Sequence, residues 1–356
     1  MNFIPYTFPT TILEFLNKHM SDQMNGMKED EPSDLDFPTI SDYYHTIPNR
    51  LIEQYSGLYH NELLKTYQLM TNEGLITPLH FGTGFDEKYC SNGFNPIDAK
   101  YGKYDFLFAG FQHIYDTFSD AVRPIIVNPN SINKDPDIGT GFVVNANRNF
   151  DENFYFITAR HCLPFGERIY IPAHLPPKIP CLPEKIWGTS IKEIDVAIIK
   201  FNFKHAIPGR EQNFWLSKPE VLDEVLTMGY PPIQGFIDAI QVAEVARVSG
   251  FLKSTHGRIV GEGKHYWGGK EDHFLISARV KGGNSGGPVI NKKGEVVGVV
   301  IELLQDGNEL DLLGYGVALN ANIVQRMLNT IEGKDNSIDV SEIKFALYDD
   351  GFELVK

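Results

Sequence analysis

Cysteine is scarce in this chain, with three in 356 residues, at Cys90, Cys162 and Cys181. An odd, sparse set does not describe a disulfide framework. No second ligand pair stands near Cys162 and His161 at finger-like spacing, so a structural zinc site is not expected there. Basic residues are outnumbered, 32 Lys and Arg against 46 Asp and Glu, for a formal net charge of -14. With no basic run, the chain has no general electrostatic field for nucleic acid or an anionic membrane. No stretch approaches the roughly 18 apolar residues of a membrane-spanning helix. The segment Met1-Asn2-Phe3-Ile4-Pro5-Tyr6-Thr7 lacks a basic region followed by an apolar run, so it does not read as a secretory signal, and a cytoplasmic location is expected.

Hydrophobic residues make up 42% and aromatics 12%, ample for a buried core, and the length suggests two or three domains. The most informative stretch is Val280-Lys281-Gly282-Gly283-Asn284-Ser285-Gly286-Gly287-Pro288. Acyl transfer needs an exposed hydroxyl and backbone N–H groups aimed at a developing oxyanion, both at one point. A tight turn poor in side chains presents N–H groups that closely, and glycine tolerates the backbone angles it demands. Ser285 would be the nucleophile, with the N–H groups of Gly283 and Ser285 as oxyanion hole. Taken alone, the same stretch also reads as a glycine-rich hairpin turn.

Two upstream segments bear on that choice. Phe154-Tyr155-Phe156-Ile157-Thr158-Ala159-Arg160-His161-Cys162 reads as a buried strand that gives way to a loop at His161. In Glu193-Ile194-Asp195-Val196-Ala197-Ile198-Ile199-Lys200, an aspartate immediately precedes a short apolar strand. The order His, Asp, Ser is one of the few in which this triad recurs, and it is the one found on paired β-barrels.

These residues resemble the chymotrypsin/trypsin superfamily of serine peptidases, and within it the HtrA/DegP-like bacterial branch. Gly139-Thr140-Gly141-Phe142-Val143-Val144, the segments around His161, Asp195 and Ser285, and Gly294-Glu295-Val296-Val297-Gly298-Val299-Val300 carry the likeness, which covers roughly residues 120 to 330. The resemblance implies a mainly β fold: two six-stranded antiparallel β-barrels of chymotrypsin type, with an added, partly helical N-terminal region. It implies a serine endopeptidase acting on protein or peptide substrates, active or latent until triggered. His161 would take and return the Ser285 proton, and Asp195 would hold the ring. No metal or organic cofactor is needed. The alternative from another class is a binding or scaffolding protein on an inactive protease barrel. An esterase using the same triad has less support, because such enzymes place the serine on a strand-to-helix elbow in a different chain order.

The departures from the family also carry information. Secreted digestive members have Asp before the nucleophile, which pairs with a new N-terminus after zymogen cleavage. Asn284 cannot form that ion pair, so activation by N-terminal cleavage is not expected. About 25 residues follow residue 330, too few for the PDZ module common in the HtrA branch. The family's specificity pocket is walled by the run before the nucleophile and by strands near Ile301-Glu302-Leu303 and Tyr315-Gly316-Val317, which points to Arg279, Leu303 and Gly316 as substrate-binding positions. An inward Arg279 would favour an acidic residue before the cut, unless Glu302 neutralises it. An outward Arg279 leaves an apolar pocket for a medium aliphatic residue.

Three parts are expected along the chain. Residues 1–118 differ from the barrel and read as a regulatory or partner-binding region. They hold an acidic segment at 28–36, a helix capped by Asn49 that runs through Leu51, Tyr55, Leu58, Leu63, Tyr67 and Met70 to Gly74, and a second helix at about 107–118. A Gly82-Thr83-Gly84-Phe85 copy of the barrel motif has no His–Asp–Ser set behind it. Residues 119–330 form the peptidase domain, opening with a strand at Pro124–Val127 and closing with a helix from Asn320 to Ile331. Residues 331–356 are a tail in which Asp350-Gly351 signals a hairpin. His45, His60, His80, His113, His174, His205, His256, His265 and His273 read as structural or surface histidines.

Overall fold

A computed structural model describes residues 8–26, 36–55, 58–80, 82–100, 102–128, 137–145, 154–172, 180–201, 214–231, 239–242, 246–249, 252–262, 273–301 and 315–356. The chain divides into two compact units, Met1–Gly110 and Phe111–Lys356. The division falls where Gly110 (φ 72°, ψ -170°) interrupts a helical run.

The first unit holds helices α1 (Pro9–Gly26), α2 (Ile40–Tyr44), α3 (Asn49–Gln54) and α4 (Leu58–Asn72), the antiparallel pair β1 (Ile76–Pro78) and β2 (Tyr89–Ser91), helix α5 (Pro96–Lys100) and the start of α6 (Lys103–Phe118). The single helix expected from Asn49 to Met70 is two helices. Pro48 occupies the cap position ahead of α3, and Tyr55 leaves helical geometry (φ -114°, ψ 28°). On α4, the helical spacing of Tyr59, Leu63, Tyr67 and Met70 makes one buried stripe, in a core shared with Ile12, Leu13, Leu16, Ile40 and Tyr43. Gly74 (φ 70°) ends the helix as the left-handed residue of a Schellman motif: the Leu75 N–H donates to Met70 O (2.8 Å) and the Gly74 N–H to Thr71 O (3.1 Å). Gly84–Asp86 is a tight helical turn, so the second Gly-Thr-Gly-Phe is not a strand.

The second unit contributes β3 (Val122–Val127), β4 (Asp137–Asn145), β5 (Phe154–Ala159), β6 (Arg168–Tyr170), β7 (Pro183–Gly188), β8 (Val196–Phe201), β9 (Glu224–Gly229), β10 (Ala239–Val242), β11 (Ala246–Ser249), β12 (Lys253–Glu262), β13 (His273–Ile276), β14 (Pro288–Asn291), β15 (Val296–Ile301) and β16 (Gly316–Asn320). Helix α7 (Ala321–Ile331) and the strands β17 (Ser341–Glu342), β18 (Phe345–Tyr348) and β19 (Gly351–Leu354) follow. Mainly β architecture is therefore present, with helices concentrated in the first unit. Asn320 caps α7 rather than joining it, its side chain accepting from the Asn322 N–H. No helix among the described residues is long and apolar enough to cross a membrane.

Strands β12-β13-β16-β15-β14-β9 close into a six-stranded barrel. Its interior is filled by Val225, Ile259, Phe274, Ile276, Val289, Val297, Val300 and Ala318. A β-carbon on Gly298 would lie 2.5 Å from Phe274 Cζ, so the glycine inside β15 makes room for that ring.

The other half is a curled nine-stranded sheet in the order β17-β7-β8-β5-β4-β3-β6-β19-β18. The six strands expected of a first barrel are β3 to β8, and three tail strands are added to them. Strands β6 and β7 meet only beyond their ends, through a bridge between Pro172 and Pro180 and a bond from the Cys181 N–H to Ile171 O (2.8 Å). The tail pairs with both: β17 with β7 (Ser341↔Gly188) and β19 with β6 (Phe352↔Ile169). Phe352 and Leu354 are fully buried there. The hairpin loop is Asp349-Asp350, with Tyr348 opposite Gly351. Gly351 therefore begins β19 (φ 146°), and a β-carbon there would lie 2.1 Å from Ile169 O. Glycine is needed there for close approach and for a backbone angle that L-residues avoid. Gly351→Ala is expected to destabilise the second unit by about 1–3 kcal/mol, read as a lower urea midpoint at unchanged slope. An unchanged midpoint would contradict this packing.

Candidate active site

Every residue of β5 is buried, and the strand ends at Ala159 in a short helical turn, Arg160–Cys162. The register of β5 on β8 sets Ala159 opposite Val196, which brings the next pair, Arg160 and Asp195, together off the strand ends. The Arg160 N–H donates to Asp195 O (3.1 Å). The His161 N–H donates to Asp195 Oδ1 (3.0 Å), and the His161 ring meets Asp195 Oδ2 through Nδ1 at 2.5 Å. One carboxylate thus holds the backbone and the ring of the same histidine. An ionised carboxylate only accepts, so Nδ1 carries the hydrogen in either ring form, and Nε2 is an acceptor only when the ring is neutral. Burial pulls the His161 pKa down, but hydrogen bonds and charge from Asp195 and Cys162 outweigh it and raise the value to about 10.

Ser285 sits in two successive tight turns. The Asn284 N–H donates to Lys281 O and the Gly287 N–H to Asn284 O, both at 2.9 Å. The third residue of each turn is a glycine at positive φ, Gly283 (90°) and Gly286 (83°), the pattern of type II turns. Three of the four glycines in these six residues have distinct uses: Gly283 and Gly286 take the positive angles, and Gly286 and Gly287 pack with no room for a β-carbon, against Thr140 O and Met228 O respectively.

The turns are fastened to both halves of the unit. The Ser285 carbonyl accepts from the Thr140 N–H (2.9 Å) and from Cys162 Sγ (3.4 Å). The Gly283 carbonyl accepts from Thr140 Oγ1 (2.6 Å) and the Tyr230 N–H (3.3 Å). The Gly286 N–H donates to Val300 O (2.7 Å). By contrast, the N–H groups of Gly283 and Ser285 have no acceptor among the described residues. Buried donors are normally satisfied, so two free ones on either side of Asn284 make a place for an anionic oxygen.

The structure brings His161 and Asp195 into direct contact and sets Ser285 one hydrogen bond from Cys162, the residue after His161. No hydrogen bond joins Ser285 Oγ to the His161 ring, and Ser285 is 3% exposed. Arg279 is exposed and makes no ion pair among the described residues; its carbonyl accepts from Thr255 Oγ1 (2.7 Å). A β-carbon on Gly316 would lie 2.6 Å from Val280 Cγ2 and 3.0 Å from Ile276 Cγ1. Leu303 and Glu302 lie outside the described residues. Cys162 is a free, buried thiol, and Gly139 lies against it: a β-carbon there would be 2.6 Å from its sulfur. Among the described residues, no group of three or more His, Cys, Asp or Glu is placed to hold a metal ion.

The residues between Gly139 and Val299 match the family model described as the trypsin-like peptidase domain. Over those residues the chain is a trypsin-like peptidase domain by sequence likeness. A solved structure of an HtrA-type protease, AlgW in a serine-to-alanine form with a tripeptide, is similar at 16% identity over 67% of each chain, with a TM-score of 0.44. No curated protein matches the sequence.

Within the peptidase domain, the sequence reading passed over Thr140, Thr158 and Tyr230. The available signal was Gly139-Thr140-Gly141, since glycines inside a strand mark close approach of another backbone. The His161 geometry also fixes a pH dependence. A raised pKa means that the Asp195 pair stabilises the fold fully below the unfolded value of about 6.5. That contribution fades as pH rises toward about 10. In ¹⁵N NMR titrations the His161 ring is expected to titrate above the ordinary histidine range, and in Asp195→Asn at lower pH. Equal titration in both would show that the carboxylate does not hold the ring.

Proposed function

We propose that the chain is a serine endopeptidase working through an acyl-enzyme. The carrying observation is one conjunction: a histidine held by a carboxylate beside a serine turn whose Gly283 and Ser285 N–H groups are unpaired. In this reading the neutral form of the His161 ring takes the proton of Ser285 Oγ at Nε2 as that oxygen attacks the scissile carbonyl. The carbonyl oxygen becomes an anion between the two free N–H groups. The imidazolium then protonates the leaving amine, and water repeats the sequence to release the acid. Asp195 favours the imidazolium throughout. General-base assistance contributes about 100- to 10,000-fold, and each oxyanion donor about 100- to 1,000-fold.

Latency belongs to the same proposal. The low exposure of Ser285 and the absence of its bond to the His161 ring support a resting state that tightens when substrate binds, as catalytic hydrogen bonds often do. Residues 1–118 are proposed to gate the site or recruit a protein partner, on the strength of their separate helical core. Retention of rate and substrate choice after their removal, with the barrel folded, would refute that part.

The exposed Arg279, and the apolar Val280 and Ile276 pressed on Gly316, support a pocket for a medium aliphatic residue before the cut. Mass-spectrometric mapping of products from a peptide library should show aliphatic residues there in preference to Asp, Glu, Lys or Arg. A preference for Asp or Glu would place the guanidinium inside.

The test of the reaction itself is labelling with a serine-reactive fluorophosphonate. The wild-type protein should label and Ser285→Ala should not, with cleavage lost by at least about 1,000-fold. Equal labelling of both would remove Ser285 from the nucleophile's role. Failure of both, with partner binding intact, would favour the scaffolding reading.

A further inference from the structure

Thr140 lies on β4, outside the triad and outside the glycine turn, yet its N–H and its hydroxyl both hold that turn. It is fully buried. Its N–H donates to Ser285 O at 2.9 Å and its hydroxyl to Gly283 O at 2.6 Å. The same hydroxyl accepts from the Tyr230 N–H at 3.0 Å, and the Thr140 carbonyl accepts from Thr158 Oγ1 at 2.7 Å. The surroundings are made to fit. A β-carbon on Gly229 would stand 3.1 Å from Thr140 Oγ1, one on Gly287 would stand 3.3 Å from its Cγ2, and Gly286 packs directly on its carbonyl. We infer that Thr140 is the positioning residue of the oxyanion hole, fixing the orientation of the free Gly283 and Ser285 N–H groups from a neighbouring strand. This inference rests on the serine-peptidase reading above.

Thr140 grips the carbonyls of residues 283 and 285, which fixes the peptide planes 283–284 and 285–286. The plane between them carries the Ser285 N–H. With both outer planes held, the torsions left to Asn284 and Ser285 are few, and that N–H keeps its direction. The Gly283 N–H belongs to the plane just before the first held one, across the positive-φ glycine. Glycine at 283 would otherwise let that plane rotate freely. Threonine suits the task, because one hydroxyl donates to the turn and accepts from Tyr230 while the N–H beside it donates as well. Serine would preserve these bonds. Valine would keep the shape and lose the hydroxyl, and the Gly283 carbonyl would retain only the longer bond from Tyr230.

The test compares wild type, Thr140→Val and Thr140→Ser in the full chain. The readouts are kcat and KM on a peptide substrate, and the binding of a peptide aldehyde, whose adduct carries an oxyanion, against the matching peptide amide, which forms none. In Thr140→Val, kcat should fall about 10- to 100-fold with KM little changed. Aldehyde affinity should fall by a similar factor while amide affinity stays. Thr140→Ser should keep near wild-type values for all four. A role confined to stability would lower the melting temperature and move aldehyde and amide together. That outcome, or a wild-type kcat in Thr140→Val, would overturn the inference. If Thr140→Val does not fold, Thr140→Cys, with a weak donor in place of the hydroxyl, carries the same expected loss relative to Thr140→Ser. A wild type that neither labels with fluorophosphonate nor cleaves would overturn the serine-peptidase reading and this inference with it. Labelled wild type with an indifferent Thr140→Val would overturn this inference alone.

Discussion

The site depends on how the turn at residues 282–287 is fastened to β4, to β15 and to the helical turn that follows β5. A loop with four glycines in six residues has many conformations open to it in isolation, and its entropy opposes any single one. What selects one here is a set of bonds to buried neighbours: Thr140 donates to the carbonyls of Gly283 and Ser285, Cys162 donates to the latter, and the Gly286 N–H donates to Val300 O. Two N–H groups are left over. In most loops that would be a defect, since an unsatisfied buried donor costs about 1–3 kcal/mol. In the function proposed above, an anionic oxygen arriving between them offsets that cost, so the site would favour the species that carries one.

The same fastening locates the histidine. Cys162 follows His161 and donates to the serine turn, while Asp195 fixes His161 from the neighbouring strand. Three segments remote in sequence are therefore registered against one another largely by side chains that reach backbone groups. The tail has a comparable part in the nine-stranded sheet. The Gly166 N–H donates to Leu354 O (3.1 Å), and Arg160 lies over the Phe165 ring at 4.8 Å. The last strand thus supports the loop that leaves His161.

Much of this was legible in the sequence for physical reasons. The apolar runs at 154–159, 196–201 and 296–301 are buried along their length, and such runs announce themselves. Glycines at 283 and 286 mark positive angles that other residues resist. Less was legible where the cause is long-range. Nothing local separates Gly139-Thr140-Gly141 from Gly82-Thr83-Gly84, yet the first lies inside a sheet and the second is a helical turn. The tail strands could be seen as a hairpin, but their place beside β6 and β7 depends on partners far away in sequence, Ile169 for Phe352 and Gly188 for Ser341. The break between α3 and α4 was hidden because Tyr55 keeps the helical spacing while its backbone leaves the helix.

The most direct measurement is a crystal structure with a peptide boronate. The account predicts a tetrahedral adduct on Ser285 Oγ, with one boronate oxygen about 2.7–3.1 Å from both the Gly283 and Ser285 nitrogens and His161 Nε2 within hydrogen-bond reach of another. An adduct whose oxygens avoid those two nitrogens, or a boronate bound with Ser285 unmodified, would contradict it.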